Sequence, residues 1–431
     1  MAPCNVNSDL LFEILSRMEL KTMRRYRILS RECNSLTYES SFMRLHCQRT
    51  KTIAGYFVQS LRSNRYHSTF LSIDNPGLDP GLSLDFLPDR SLEILATVDQ
   101  GLMFCMNQGP ENRHYICKPS TRQWEVLPSP NSRYFTRKTA MVVLRSDPLR
   151  FKIVRLSDGE YNDSELELEN SKPEVDDYDY KRFQVEIFDS KIWAWEQLDD
   201  LMLSYDEFFN SKPAVSAYGG LHWLTSNKEK NNILSFYEDT ESWELVSLPN
   251  ALWERYWYSV NLTEYEGKLA FICVSPDFIE LWVQNYYGEK FWTKRDSINL
   301  KSFNQKIGHS SANSFYNADI LFMNSLFSAI FYNFKTGQFN RLELPLKHMH
   351  IDSAFFIQTD SKPIRFRQHK KSFASNIFTL LIFVVFLLFI FDLCHYNYLK
   401  PGEFMIFVRI GLRVSAVRMN EQPKDENLSF F

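Results

Sequence analysis

Apolar side chains in the first fifty residues recur with the period of an α-helix. The first group falls on one helix face and consists of Leu10, Leu11, Ile14, Leu15 and Met18. The second group repeats that face on a second predicted helix and consists of Met23, Tyr26 and Leu29. About forty residues hold too little apolar area to be stable alone, so this stripe predicts a partner surface.

From Lys51 onward the helical pattern gives way to short apolar runs bounded by turns, which is typical of β-strands. Five of these units carry an aromatic residue just after a polar turn: Trp124, Trp195, Trp243, Trp292 and Phe339. The successive intervals are 71, 48, 49 and 47 residues. The long interval contains Asp158–Lys181, 24 residues with ten Asp or Glu, and without that stretch it is 47 residues. We interpret the stretch as an acidic loop inserted into a regular repeat.

A constant period close to fifty residues, with four short strands in each unit, is typical of a β-propeller of kelch-like type. Five units are predicted, at 92–128, 139–200, 214–249, 256–300 and 308–345. Ile53–Leu87 supplies strands of another blade, and His350–Ile357 can return to complete it. That closure would remove exposed sheet edges. We predict six blades, with seven as the alternative. The aromatic residues are expected to pack in the core and not to stack on a ligand.

The helical region resembles an F-box, the module that docks a Skp-type adaptor in cullin-RING ubiquitin ligases. The resemblance covers residues 6 to 50 and includes Asp9-Leu10-Leu11, Glu13 to Arg17, Asn34-Ser35-Leu36 and a closing His46-x-x-Arg49. It implies three helices and an adaptor-binding site made of Leu10, Leu11, Ile14, Leu15, Met18, Met23, Tyr26 and Leu29. Three departures from the F-box pattern stand out: Val6-Asn7 replaces the opening Leu-Pro, Glu19 replaces a proline, and Cys33 replaces a tryptophan.

The repeats resemble the F-box-associated repeats of plant F-box proteins. The matching phrases are Pro119-Ser120-Thr121-x-x-Trp124, Gly220-Leu221-His222-Trp223-Leu224 and Gly267-Lys268-Leu269, and the resemblance extends from residue 51 to about 358. The predicted domains are therefore an F-box at 1–50, a propeller at 51–360 that contains the acidic insertion 158–181, and a tail at 361–431.

Charge and cysteine spacing limit the classes of partner and the compartment that the sequence predicts. The net charge is −3, which argues against a nucleic-acid-binding protein. The first 51 residues hold nine Lys or Arg against five Asp or Glu, which we interpret as a solvated helix face. The seven cysteines lack the spacing of a zinc site or a redox pair, so they indicate a reduced protein of the cytoplasm or nucleus.

The tail contains an apolar run, Phe373–Cys394, in which Asp392 is the sole charged residue. As a helix this run would measure about 33 Å, enough for a bilayer core of about 30 Å. Basic residues before it would leave the propeller facing the cytosol. A transmembrane helix is one interpretation; a buried C-terminal helix or a tail foreign to the family are the others.

The sequence contains no motif of a catalytic, metal or cofactor site. His348 and His350 lie two residues apart, but without a third ligand they are more typical of loop histidines than of a metal site. The acidic insertion lacks the glycine and the spaced oxygen ligands of a calcium loop.

The resemblance implies a non-catalytic substrate-recognition subunit of an SCF-type (Skp–cullin–F-box) ubiquitin ligase. The F-box would dock the adaptor, and through it cullin, while the propeller would hold an unknown protein target. The alternative is a membrane-tethered propeller scaffold with a degenerate, non-docking F-box. A propeller enzyme fits worst, because the repeats show no convergent set of catalytic groups.

Overall fold

A computed structural model describes residues 8–72, 82–98, 101–109, 112–146, 148–159, 180–227, 230–248, 259–275, 277–284, 292–300 and 310–366. The chain divides into two compact units, Met1–Phe366 and Arg367–Phe431. The second unit, with the apolar run Phe373–Cys394, lies outside the described residues. Within the described ranges, no helix has the length and apolar character needed to cross a bilayer.

The N-terminal segment folds into four helices instead of the expected three: α1 (Ser8–Leu15), α2 (Leu20–Leu29), α3 (Arg31–Thr37) and α4 (Ser40–Thr50). The extra division arises at Ser30, which takes an extended conformation with φ −146° and ψ 132°. The Ser30 side chain accepts a hydrogen bond from the Cys33 amide at 3.3 Å and so caps α3. A small apolar core holds the four helices together: Leu15, Leu20, Met23, Cys33, Leu36 and Phe42.

The described strands form six antiparallel sheets, which are the six predicted blades. Blade 1 contains β1 (Ile53–Arg62), β2 (Arg65–Leu71) and the last strand of the chain, β25 (Ser353–Thr359). Blade 2 contains β3 (Leu92–Val98), β4 (Leu102–Asn107), β5 (His114–Lys118) and β6 (Gln123–Leu127). Blade 3 contains β7 (Thr136–Ser146), β8 (Leu149–Asp158), β9 (Tyr180–Asp189), β10 (Ala194–Gln197) and β11 (Leu201–Ser204).

The other three blades repeat this arrangement. Blade 4 contains β12 (Phe208–Phe209), β13 (Val215–Ala217), β14 (Gly220–Ser226), β15 (Asn231–Tyr237) and β16 (Ser242–Ser247). Blade 5 contains β17 (Ser259–Tyr265), β18 (Lys268–Val274), β19 (Phe278–Gln284) and β20 (Trp292–Asn299). Blade 6 contains β21 (Ser311–Phe315), β22 (Ile320–Ser325), β23 (Ser328–Asn333) and β24 (Phe339–Glu343).

The five aromatic residues of the repeat occupy equivalent places. Each is the first or second residue of the outermost strand of its blade. Trp243 lies 4.7 Å from Phe236 between ring centroids, and Trp292 lies 4.4 Å from Phe271. These contacts join an outer strand to the strands inside it, which is why the sequence repeats an aromatic residue there. The acidic insertion joins β8 to β9, and its outer residues Asp158 and Lys181 belong to those strands.

The ring closes in blade 1, where β25 pairs with β1 from Ile53 opposite Thr359 to Gln59 opposite Ser353. This is the closure predicted from the sequence. The segment after β25 is then fixed to blade 2, where Lys118 Nζ lies 2.6 Å from Asp360 Oδ1. Gly101 has φ +75°, and a Cβ atom there would overlap the Thr359 side chain, so only glycine fits beside the closing strand.

The two faces of the ring differ. We count the strands of each blade from the innermost outward. Because neighbouring strands are antiparallel, the turns between first and second strands (first-to-second turns) lie on one face of the ring. The turns between second and third strands and the connections between blades lie on the other face. The helices contact two first-to-second turns: Asn34 Nδ2 donates to the Glu266 carbonyl at 2.9 Å, and the Ala318 amide donates to the Tyr38 carbonyl at 3.0 Å. We call this side the helix face and the other side the open face. The acidic insertion joins the blade 3 sheet on the open face.

His348 is buried in blade 1 and joins it to the segment before β25. The ring nitrogen Nδ1 lies 2.9 Å from the Ser60 hydroxyl, and Nε2 lies 2.8 Å from the Thr69 hydroxyl. The Ser60 hydroxyl also donates to the His350 carbonyl. His348 lies in the connection between β24 and β25, as expected of a loop histidine, and its ring bridges two strands of blade 1. Burial lowers the pKa of His348 to about 4.

His348→Asn should reduce the dependence of stability on pH. Because the folded-state pKa of His348 is below that of the unfolded chain, the unfolded state binds more protons between about pH 6.5 and pH 4. The free energy of unfolding therefore falls as pH falls through this window. In the variant, unfolding should take up about one proton fewer, so the free energy of unfolding should depend less steeply on pH. Urea unfolding at several pH values measures it. His350→Asn, at an exposed site, is the control; an unchanged slope in His348→Asn would contradict the assignment.

Candidate functional site

The exposed apolar residues of α1 form the first part of the candidate site. Leu10 and Ile14 are 54% and 44% exposed, and their spacing of four residues places them on one side of the helix. Leu11 and Met18 are half-buried and pack against the core of the helices. Two large apolar side chains side by side on a short helix form a surface that a partner can cover.

Two residues of the predicted site have no surface to offer a partner. Leu15 is fully buried and Met23 is 1% exposed, and both belong to the core that joins the four helices. In this conformation they hold the helices that carry the exposed residues, and their contact with an adaptor stays a prediction. Sequence periodicity identified the apolar face of each helix but could not separate the part that packs inward from the part that stays exposed.

The end of α2 carries the second exposed apolar group. Tyr26 and Leu29 are 38% and 76% exposed, as the predicted site requires. Ile28 is 87% exposed and was missed by the sequence analysis because it falls off the helical stripe. The sequence signal that could have identified Ile28 is an isoleucine that lies outside the apolar stripe of an otherwise basic helix.

A network of charged groups lies beside α1. Glu13 is paired with Arg17 at 2.6 Å and with Arg49 of α4 at 2.8 Å. These hydrogen bonds, chiefly that of Arg49, lower the pKa of Glu13. Arg49 also donates to the Ser16 hydroxyl. The network joins the first helix to the last and so fixes the direction of α1 relative to α4.

Two of the three departures from the F-box pattern lie within the described residues, and both fit the local fold. Glu19 has φ −60° and ψ 145°, a conformation that proline also adopts. Its carbonyl accepts the Met23 amide at 2.9 Å, so the start of α2 is formed without a proline. Cys33 is 4% exposed and packs in the helical core in place of a larger side chain. Val6-Asn7 lies outside the described residues.

The helices are held against the propeller by α3, α4 and the residues between them. The Ser40 hydroxyl lies 3.0 Å from Asp319 Oδ2, and Lys335 Nζ lies 2.5 Å from Asp319 Oδ1. Met43 and Cys47 of α4 pack against the apolar cluster shared by blades 1 and 6. Only Lys51 and Thr52 separate α4 from β1. These contacts leave Leu10, Ile14 and the end of α2 exposed while they fix the helices to the ring.

Two cysteines of the described chain are buried and contact each other. Cys105 and Cys117 are fully buried on adjacent strands, and the hydrogen bond between the two thiols together with burial raises the pKa of the Cys117 thiol. Raised thiol pKa values and burial oppose nucleophilic chemistry. In the part of the chain that the structure covers, no three or more His, Cys, Asp or Glu side chains are arranged to hold a metal ion.

Comparison with known proteins agrees with this arrangement. Residues 57–369 match the family described as F-box associated beta propeller domain. The Arabidopsis thaliana F-box protein At5g41720 is 34% identical over 160 residues, which are 35% of this chain and 85% of that protein. F-box protein At5g49610 is 25% identical over 68% of this chain and 79% of that protein. A putative F-box/kelch-repeat protein, At1g13200, is 24% identical over 70% of this chain and 74% of that protein. Both relatives are also from Arabidopsis thaliana.

Glu19→Pro should stabilise the helices. The backbone angles at Glu19 already suit proline, and a proline there reduces the freedom of the unfolded chain, an effect of about 0.4–1 kcal/mol. The substitution removes the ion pair with Lys362, but both side chains are more than half exposed, so that pair contributes little. Glu19→Ala removes the same pair and is the control. Chemical unfolding compares the three proteins, and a less stable proline variant would contradict the proposed turn geometry.

Proposed function

This chain belongs to the F-box associated beta propeller family, and on that premise we propose that it is a substrate-recognition subunit of an SCF-type ubiquitin ligase. Its helices dock a Skp-type adaptor, which connects the chain to cullin. Its propeller binds the protein target. Ubiquitin transfer is carried out by other subunits, so this chain is not itself an enzyme, and it acts in the cytoplasm or nucleus.

The observation that carries the proposal is the exposed apolar surface of α1 and of the end of α2. Leu10 and Ile14 remain accessible although α3 and α4 are packed against the propeller. An apolar surface on a module that is otherwise docked supports binding of a further protein. Burying two half-exposed side chains of this size contributes about 2 kcal/mol. The binding residues are therefore Leu10, Leu11, Ile14, Met18, Tyr26, Ile28 and Leu29, with Leu15 and Met23 as their support.

The position of the helices also supports separate binding sites on the two faces of the ring, one for the adaptor and one for the target. The helices cover first-to-second turns of blades 5 and 6 on the helix face. The open face is then the side on which loops can meet a target without displacing the adaptor. Loops on a rigid scaffold are where binding specificity usually lies.

The degenerate-F-box alternative loses part of its motivation. Two of its three sequence departures, Glu19 and Cys33, are accommodated without loss of helix geometry or core packing. The third, Val6-Asn7, and the apolar run Phe373–Cys394 lie outside the described residues.

Leu10→Asp combined with Ile14→Asp should strongly weaken adaptor binding. Both positions are exposed, so the variant can fold, but two carboxylates in the interface lose apolar burial and add a desolvation cost. We expect affinity to fall by about 100-fold, measured by co-purification and by titration with a Skp-type adaptor. Asp at Leu11 and Leu15 would be a poorer test because Leu15 is a core residue.

Leu326→Asp is the matched control, because Leu326 is 64% exposed in the turn between β22 and β23 on the open face. It should bind the adaptor normally. Full adaptor binding by the folded double variant would overturn the proposal.

A further inference from the structure

Large apolar side chains are exposed on the open face where blades 6 and 1 meet. They come from three segments of the chain: the turn between β22 and β23, the end of β1, and the connection from β24 to β25. Turns between second and third strands and connections between blades all lie on the open face. Each of these side chains is at least 46% exposed: Leu61, Leu326, Leu346 and Met349.

Backbone hydrogen bonds join the three segments. The Phe327 amide donates to the Met349 carbonyl at 3.1 Å, and the Leu344 amide donates to the Phe327 carbonyl at 2.7 Å. The Arg62 guanidinium donates to the Leu346 carbonyl at 2.6 Å. The exposed apolar residues therefore belong to one surface, which we call the blade 1/6 surface and define by Leu61, Leu326, Leu346 and Met349.

The blade 1/6 surface is held in place from beneath. The buried ring of His348, between Leu346 and Met349 in the sequence, bridges two strands of blade 1. The Leu61 amide donates to Asp352 Oδ2 at 2.7 Å, and the Asp352 amide donates to the Gln59 carbonyl at 2.9 Å. A surface that is already ordered loses little conformational entropy when a partner binds.

The turn that carries Leu326 has an unusual sequence. Ser325 pairs with Ser328, so Leu326 and Phe327 form a two-residue turn. Such turns favour glycine, asparagine and aspartate, because these residues adopt positive φ angles easily. Phe327 has φ +56°, a region that bulky residues rarely adopt and that is found most often at functional sites. Two apolar residues are a cost to this turn, and a role in binding explains them.

Basic groups surround the blade 1/6 surface. Arg62 and Arg65 lie opposite each other at the turn between β1 and β2. Lys347 follows Leu346 directly in the connection to β25. All three basic side chains belong to exposed residues.

The acidic groups near the surface are fewer, and each is already held within the chain. Glu343 Oε1 lies 2.9 Å from Arg341 Nε, and Asp352 accepts a backbone amide. Glu93 reaches this region through its hydrogen bond with Tyr66, and burial raises the pKa of Glu93 toward the neutral form. Even with Glu93 counted as charged, the basic groups are in excess: Arg62, Arg65, Arg341 and Lys347.

We propose that the blade 1/6 surface binds a segment of the target protein that combines apolar side chains with aspartate or glutamate. This inference rests on the proposed function, which places the target on the open face. Apolar side chains of the segment cover Leu326, Leu346 and Met349 and remove them from water. Its carboxylates face Arg65 and Lys347, and this charge complementarity favours acidic segments over basic ones.

A peptide selection on the full-length chain tests the chemistry of this segment. Short random peptides displayed on phage are selected on the immobilised wild type, and a parallel selection uses Leu346→Asp combined with Met349→Asp. We expect the peptides that bind only the wild type to be enriched in both apolar and acidic residues. Absence of enrichment, or enrichment of basic or wholly polar peptides, would overturn the proposal.

The enriched peptide is then synthesised and titrated against single variants. Leu346→Asp and Met349→Asp should each weaken its affinity by about tenfold, because each removes the burial of an apolar side chain. Arg65→Glu combined with Lys347→Glu should also weaken it by about tenfold and make the affinity less dependent on salt. These two basic residues are exposed, so this variant keeps the test decisive if an apolar variant fails to fold.

The matched controls lie in turns on the helix face. Ile192→Asp changes a similarly exposed apolar residue between β9 and β10, and Arg122→Glu reverses a charge between β5 and β6. Both should bind the peptide like the wild type. Equal binding by the wild type and by the variants of the blade 1/6 surface would overturn the site. A wild-type dimer that Leu346→Asp dissociates, detected by sedimentation equilibrium, would instead assign the surface to a second copy of this chain.

Adaptor binding is measured on the same proteins with a purified Skp-type adaptor. Leu326→Asp should lose affinity for the peptide and keep the adaptor, because the two surfaces lie on opposite faces. Failure of the wild type to bind the adaptor, with peptide binding intact, counts against the proposed function. Adaptor binding without peptide binding counts only against the blade 1/6 surface.

Discussion

The innermost strand of blade 1 comes from the far end of the propeller sequence, so the ring exists only when β25 pairs with β1. Contacts beyond β25 reinforce that pair. Lys118 and Asp360 form a largely buried ion pair, and the Gln123 side chain accepts the Ile364 amide at 2.7 Å. These contacts tie blade 1 to blade 2 next to the closing strand. A closed ring has no innermost edge left to pair with other chains, which is the usual advantage of closure.

The same closure determines how the helices are presented. β1 is the second strand of blade 1, and α4 reaches it through Lys51 and Thr52 alone. Lys51 has φ 54°, so the chain turns sharply out of the helix. The hydrogen bonds of Asn34, Tyr38 and Ser40 then hold the helices to blades 5 and 6. Any target bound on the open face is therefore kept at a fixed distance and direction from α1 and α2.

The repeat could be recognised from the sequence because its aromatic residues have a structural cause. Each of these residues stands first or second in an outermost strand, and a blade that lost one would lose contacts between its strands: Trp124, Trp195, Trp243, Trp292 and Phe339. The helical stripe was equally visible, yet Leu15 and Ile14 carry the same chemical signal and have opposite surroundings. Only the position of the neighbouring helices decides which is buried. Periodicity within one helix cannot contain that information. The helix division at Ser30 was not predicted, because a serine followed by two charged residues is a common local pattern.

The pairing of β25 with β1 also sets an order of events during synthesis. The helices lie within the first fifty residues, whereas β1 must wait about 300 residues for its innermost partner. Throughout that time the nascent chain carries a strand edge that is unpaired. Premature termination before residue 353 would release a polypeptide with the helices present and the ring open. Such a fragment would retain the residues of the apolar surface of α1 without a closed propeller.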